Sequence, residues 1–319
     1  MKHSLRLLSS AEDSSLIRCI GPFHVCRSST AKGVIEVLSG DPKHPVQKLN
    51  LLGADYFSAL KGVAALLSEE LNDEARVAIF APREKCSFSA GIDLKELAGG
   101  LVTTEADVAG SKYPAMRLQQ QHRMVRVFQD GVSSLARCRI PIIAAIDPHC
   151  VGGATSVASA CDLRYATSRS VFSVKEAAVG LAADIGVLQR LPAIIGEGRT
   201  RELAFTCREF DGEEAKRIGF VEEVCTDYAA LMAHARRRAA EVASNSPLGV
   251  QNSKRILNGQ REKAVQESLE YQAAISAFSP SCHDVAEAAH AFAGKRAPVF
   301  TDYVVNPTGG HARSNPKGS

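Results

Sequence analysis

Two carboxylates, Glu176 and Asp184, stand in an otherwise apolar, glycine-punctuated run: Val174-Lys-Glu176-Ala-Ala-Val-Gly-Leu-Ala-Ala-Asp184-Ile-Gly-Val-Leu-Gln-Arg-Leu-Pro192. An apolar setting disfavours the ionised form of a carboxylate and moves its pKa toward the range useful for proton transfer. Lys175 and Arg190 lie in the same run and could instead draw the acids into ion pairs, so spacing alone leaves both readings open. Two glycine corners add a second kind of chemistry. Phe88-Ser-Ala-Gly-Ile-Asp-Leu94 follows the apolar run Val77–Phe80, and Val151-Gly-Gly-Ala-Thr-Ser156 follows Ile140–Ile146. Glycine weakens regular elements, so its recurrence at two strand-to-helix corners fits a backbone that closely approaches a ligand. Two such corners can aim two backbone N–H groups at one oxygen, the geometry of an oxyanion hole. Either corner alone reads equally as an ordinary βα turn; the pair is the stronger signal.

The elements that must position these residues read as alternating strands and helices. Gly33–Leu38 alternates as a first strand, and Ala54–Leu71 carries Phe57, Leu60, Val63 and Leu67 on one helical stripe. Val77–Phe80 reads as a short buried strand, and a helix is predicted to start at Asp93. A polar excursion at 99–114 precedes a long amphipathic helix marked by Leu118, Val125, Phe128, Val132 and Leu135. Strands at 140–146, 163–165, 171–174 and 220–224 follow, with a short helix between the second corner and Cys161. Ser246-Pro247 is a helix-start signal, and helices near 247–258, 262–277 and 282–294 complete the pattern. This order predicts an α/β core over 31–245, a helical region over 246–300 and a flexible tail over 301–319.

Composition narrows the classes. The 319 residues suffice for one large α/β domain with a smaller appendage. A net charge of +3 is too mild to argue for nucleic acid or a membrane surface, and no apolar run approaches the length of a membrane span. The nine cysteines show no Cys-x-x-Cys pair and no regular spacing, so neither a metal site nor a disulfide framework is indicated. Residues 1–30 are rich in arginine and serine, with Glu12 and Asp13 as their only acids. That bias fits either an organelle transit segment or a disordered start.

On the glycine corners and the run from Glu176 to Pro192, the chain is identified as a member of the crotonase (enoyl-CoA hydratase/isomerase) superfamily. Its Gly-Leu-Ala-Ala-Asp184 block resembles the Δ3,5-Δ2,4-dienoyl-CoA isomerases. The resemblance spans about 33 to 290 and implies a ββα spiral core followed by helices that mediate trimer formation, as a trimer or as a hexamer of paired trimers. Leu257, Leu269, Tyr271 and Phe278 would be the apolar residues those helices expose. The implied substrate is an acyl-CoA thioester of unsaturated fatty acid β-oxidation. CoA is then part of the substrate, no separate cofactor or metal is needed, and neither nucleic acid nor membrane is a partner. The implied location is an organelle, mitochondrial ahead of peroxisome-like.

The resemblance also carries roles onto matching positions. The N–H groups of Ile92 and Gly153 would hold the thioester oxygen. Ala90, Gly91, Ile92, Asp93, Leu94, Gly152, Gly153 and Ser156 would border the substrate, and Lys48, Asn50, Leu51 and Lys95 would meet CoA. Glu176 would stand beside C2 and Asp184 would reach C6. Moving both double bonds needs a proton removed at C2 and another delivered at C6, which one carboxylate cannot easily serve. Two positions depart from the pattern. Ser156 stands where a third acid is usual, which alters the hydrogen-bond network and argues against hydratase activity. Asp147-Pro-His-Cys150 replaces a glycine-containing turn, and its fixed proline could reshape the approach to the oxyanion hole. An enoyl-CoA isomerase using Glu176 alone, and a catalytically silent fold that binds CoA or RNA, stay open as alternatives. The Arg236-Arg-Arg238 run is the feature an RNA reading would use, though such a run usually forms a solvated face.

Overall fold

The computed structural model describes residues 15–44, 47–93, 113–277, 283–300, 304–305 and 311–312. Short apolar runs supply a seven-stranded sheet in the order β1 (Leu16–Ile20), β2 (Phe23–Arg27), β3 (Val34–Ser39), β4 (Val77–Pro82), β5 (Ile142–Ile146), β7 (Leu163–Thr167) and β10 (Glu223–Cys225). From β3 to β10 all pairings are parallel, whereas β1 and β2 add an antiparallel edge. A second, smaller sheet joins β6 (His149–Val151), β8 (Val171–Ser173) and β9 (Phe210–Asp211). Chain that leaves the large sheet, pairs in the small one and returns through a helix makes the expected ββα spiral.

Period-two side chains explain why the large sheet is covered on both faces. Val77, Ile79 and Ala81 of β4 pack with Leu231, Met232, Ala235 and Ala239 of the 228–244 helix. Ala78 and Phe80 point the other way, into a larger core with Phe57, Leu60 and Val63 of α1 (Ala54–Ala65) and Phe128 and Val132 of α2 (Pro114–Arg137). The helices α3 (Gly153–Ala160), α4 (Val187–Ile195), α5 (Glu197–Thr206), α6 (Gly212–Arg217), α7 (Tyr228–Ser244), α8 (Pro247–Gly259), α9 (Glu262–Ser276) and α10 (His283–Ala293) follow. No helix among the described residues is long and apolar enough to cross a membrane.

Three expectations need correction. Residues 16–27 are not apart from the fold: they form the β1–β2 hairpin, with Phe23 and Val25 fully buried while Arg18 and Cys19 face out. Surface arginines and serines masked this short alternation. The strand expected at 220–224 pairs only over 223–225, because Phe220 and Val221 turn into the core. Leu269, expected on an exposed face, is fully buried, whereas Leu257 and Tyr271 are exposed. The expected helices after 246 are present, and the first is tied to the core: Lys254 Nζ donates to the carbonyls of Leu135 and Ile140 and pairs with Asp162 at 2.7 Å. The helix expected to start at Asp93, Phe278 and most of the expected 301–319 tail lie outside the described residues.

Candidate active site

The two glycine corners are zipped together. Phe88 and Ser89 donate their N–H groups to the carbonyls of Asp147 (2.7 Å) and His149 (2.9 Å), and Val151 N–H returns to Ser89 at 3.2 Å. On the other side Leu52 N–H reaches the Gly91 carbonyl at 2.9 Å, and Asp93 N–H reaches Leu52 at 3.1 Å. Gly91 has φ +102°, and a Cβ there would lie 3.1 Å from the Val151 carbonyl oxygen, so the close approach requires glycine. The amide ledger then singles out two groups. Gly91 N–H donates to Ser89 Oγ, Gly152 N–H to the Ser173 carbonyl and Asp93 N–H to Leu52. Among the described residues no protein acceptor meets the N–H of Ile92 or of Gly153. The reason is geometric. Parallel pairing of Leu52 with Ile92 engages the Gly91 carbonyl and the Asp93 N–H and turns the Ile92 N–H away, and Gly153 opens α3, where first-turn N–H groups have no intrahelical partner.

Both corners border one cavity of about 150 Å³. Leu52, Phe57, Met124, Val125, Phe128 and Ile185 give it apolar walls, the Phe57 and Phe128 rings being stacked with centroids 4.4 Å apart. Glu176 and Asp184 line the same cavity. Glu176 opens a 3₁₀ turn, Glu176–Val179, and both its carboxylate oxygens are buried without a hydrogen-bond partner among the described residues. Loss of solvent pushes its pKa up to about 7; the charge of Asp184 adds to the rise, and the nearby backbone amides of Glu176 and Lys175 oppose it without reaching hydrogen-bond geometry. Burial likewise raises Asp184 to about 6, against a smaller opposing pull from the Ser276 hydroxyl, which lies near but makes no well-formed hydrogen bond. The open question of ion pairing is thereby answered. Lys175 Nζ turns to Glu209 at 4.0 Å, and Arg190 is buried against Ser133 Oγ (3.0 Å) and Glu262 (3.7 Å). Both acids are thus raised toward neutrality in an apolar chamber, with two unclaimed N–H groups alongside.

The remaining expected residues divide. Ala90, Gly91 and Gly152 border the cavity with Ile92 and Gly153. Ser156 does not: it is fully buried behind the wall, and its Oγ accepts the Val187 N–H at 3.2 Å at the start of α4. Asp93 does not border it either. Asn50 is tied into the fold, its buried Nδ2 donating to Ser39 Oγ (2.8 Å) and the Phe88 carbonyl (2.6 Å). Leu52 forms part of the wall, next to Leu51, which is expected to meet CoA, and Lys48 stays exposed on the 47–49 turn that leads to it. Leu94 and Lys95 lie outside the described residues. Asp147 is fully buried and held bidentately by Arg169 at 2.8 and 2.6 Å, so the proline beside it belongs to an anchored segment. Sequence reasoning missed Gln121, Met124 and Leu181 as wall residues. The helical stripe through Val125 and Phe128 was the available signal, and it reads as ordinary core.

The enoyl-CoA hydratase/isomerase family profile matches residues 47–303. The peroxisomal Δ3,5-Δ2,4-dienoyl-CoA isomerase of Arabidopsis thaliana is 33% identical over 276 residues, covering 86% of this chain and 95% of its own. The mitochondrial enzyme of that name from Mus musculus is 33% identical over 271 residues, 84% of this chain and 79% of its own. An enoyl-CoA hydratase/isomerase structure from Pseudoalteromonas atlantica superposes with a TM-score of 0.71 at 23% identity, over 88% of this chain and 99% of that one, which shows the shared fold. The chain belongs to the enoyl-CoA hydratase/isomerase family. Within it the chain is an isomerase, similar to the two dienoyl-CoA isomerases just described.

Proposed function

We propose that this protein converts 3,5-dienoyl-CoA to 2,4-dienoyl-CoA, in an organelle that oxidises unsaturated fatty acids. The observation that carries the reading is the pair of buried acids, both raised toward neutrality, on one apolar cavity that also holds two unclaimed backbone N–H groups. The thioester oxygen accepts from Ile92 and Gly153 N–H. Ionised Glu176 takes a proton from C2, and the electron pair spreads over a dienolate from the thioester oxygen to C6. Negative charge grows on that oxygen, so preformed donors favour the transition state over the ground state. Protonated Asp184 then gives its proton to C6, leaving double bonds at C2 and C4. Glu176 ends protonated and Asp184 ionised, and exchange with solvent restores the start. Both acids are raised toward neutrality, and the competent form is the one with Glu176 ionised and Asp184 protonated. The exposed apolar residues Leu257 and Tyr271 suit burial in a trimer. Two arginines of the 236–238 run already pair with Glu36 and Glu241, which favours the enzyme reading over an RNA-binding one.

The test is spectroscopic turnover of a 3,5-dienoyl-CoA, whose product diene is conjugated with the thioester. Growth of that chromophore supports the reading. Its absence, with turnover of a 3-enoyl-CoA instead, would favour a single-base isomerase using Glu176.

A further inference from the structure

Asp184 sits in the irregular segment between the 176–179 turn and α4, yet its carboxyl group has to meet one end of a flat acyl chain. Two buried glutamines from different helices grip that segment by its backbone. Gln129 of α2, only 1% exposed, donates from Nε2 to the Asp184 carbonyl at 2.8 Å and to the Leu269 carbonyl of α9 at 3.0 Å. Its Oε1 accepts from Arg126 at 3.3 Å, so the whole amide is engaged. Gln272 of α9 donates to the carbonyl of Ala183 and accepts from Gln189 of α4. With Ser156 Oγ on the Val187 amide, the segment is tied at residues 183, 184 and 187 to three separate helices.

We propose that Gln129 and Gln272 are positioning residues that set the Asp184 carboxyl group for delivery of a proton to the far end of the acyl chain, with α9 as their rigid support. This rests on the two-acid reading above. A neutral amide suits the task for a physical reason. A cation in its place would favour ionised Asp184 and remove the proton to be delivered, whereas an apolar side chain would leave two buried carbonyls unpaired. Neither glutamine hydrogen-bonds to the Glu176 turn among the described residues, so the two halves of the reaction separate.

Gln129→Met and Gln272→Met keep side-chain volume and remove the amide. Each variant is incubated with a 3,5-dienoyl-CoA in D₂O. Deuterium at C2 of recovered substrate reports Glu176, and formation of 2,4-dienoyl-CoA reports delivery at C6. For Gln129→Met we expect product formation to fall about 10-fold or more, with KM changed no more than about twofold and C2 exchange no more than about threefold. Gln272→Met moves the same way by less. A proportional loss of both readouts, or unchanged product formation, overturns the proposal. If Gln129→Met does not fold, Gln272→Met decides on the same readouts. Asp184→Asn, run in parallel, separates the two levels. Wild-type turnover there overturns the two-acid reading and this proposal with it, whereas an inactive Asp184→Asn beside normal glutamine variants overturns the positioning role alone.

Discussion

Glu176 and Asp184 face one cavity but are held by opposite means. Glu176 belongs to a 3₁₀ turn, and its carboxylate has no hydrogen-bond partner among the described residues, so burial is the main cause of its high pKa, with the charge of Asp184 adding to it. Asp184 sits in irregular chain whose backbone is fastened on both sides by amide and hydroxyl groups of α2, α3 and α9. The first acid is poised by what has been taken away from it, the second by what grips the chain around it. The difference teaches that desolvation can tune a proton acceptor locally, whereas placing a donor at a distance needs tertiary support.

The largest break in that comparison is removal of either acid. Glu176→Gln should lower kcat on a 3,5-dienoyl-CoA by about 10³- to 10⁴-fold and abolish C2 exchange, as steady-state kinetics and NMR in D₂O would show. Asp184→Asn should lower kcat by about 10²-fold or more while leaving C2 exchange and acyl-CoA binding near wild type. Equal loss of exchange in both variants would contradict the division of labour.

Glu176→Gln should at the same time stabilise the fold. With its pKa raised to about 7, folded Glu176 keeps its proton while the unfolded chain ionises near the ordinary value of 4.5. The unfolded state therefore binds fewer protons between those values, and stability falls as pH rises through that window, then levels off. The variant removes this loss, so denaturant unfolding at pH 8 should show a gain on the order of 3 kcal/mol that vanishes near pH 4.

Titration of the pair sharpens the comparison further. kcat/KM should be bell-shaped, rising as the pair loses its first proton near pH 6 and falling as it loses its second near pH 7. C2 exchange by Asp184→Asn should lose the descending limb and follow the ionisation of Glu176 alone. A descending limb retained in that variant would point to some other acid.

The smallest effect is expected at Ser156. Loss of its bond to the Val187 amide should cost about 1 kcal/mol of stability in Ser156→Ala and lower product formation more than C2 exchange. Equal effects on both would show that the serine only fills space.

Much of this was legible from residue type and order. Glycine at two corners, acids in an apolar run and period-two strands are local signals, and the structure brings the corners and both acids to one cavity. Three things were not legible. The β1–β2 hairpin hides its buried Phe23 and Val25 among polar neighbours. The tie that buried Asn50 makes between Ser39 and Phe88 joins residues far apart in the chain. Gln129 and Gln272 lie 143 positions apart, as 272 minus 129 gives, and a lone glutamine in a helix carries no signal until folding sets both against the Asp184 segment.

The claim that two acids serve two ends is tested most directly by a single turnover of 3,5-dienoyl-CoA in D₂O, with enzyme in excess and the product examined by NMR. Delivery from solvent-equilibrated Asp184 requires one deuterium at C6 of the 2,4-dienoyl product. A C6 carrying only protium would mean that the proton taken from C2 had been handed on by Glu176 alone, and the two-acid mechanism would be wrong.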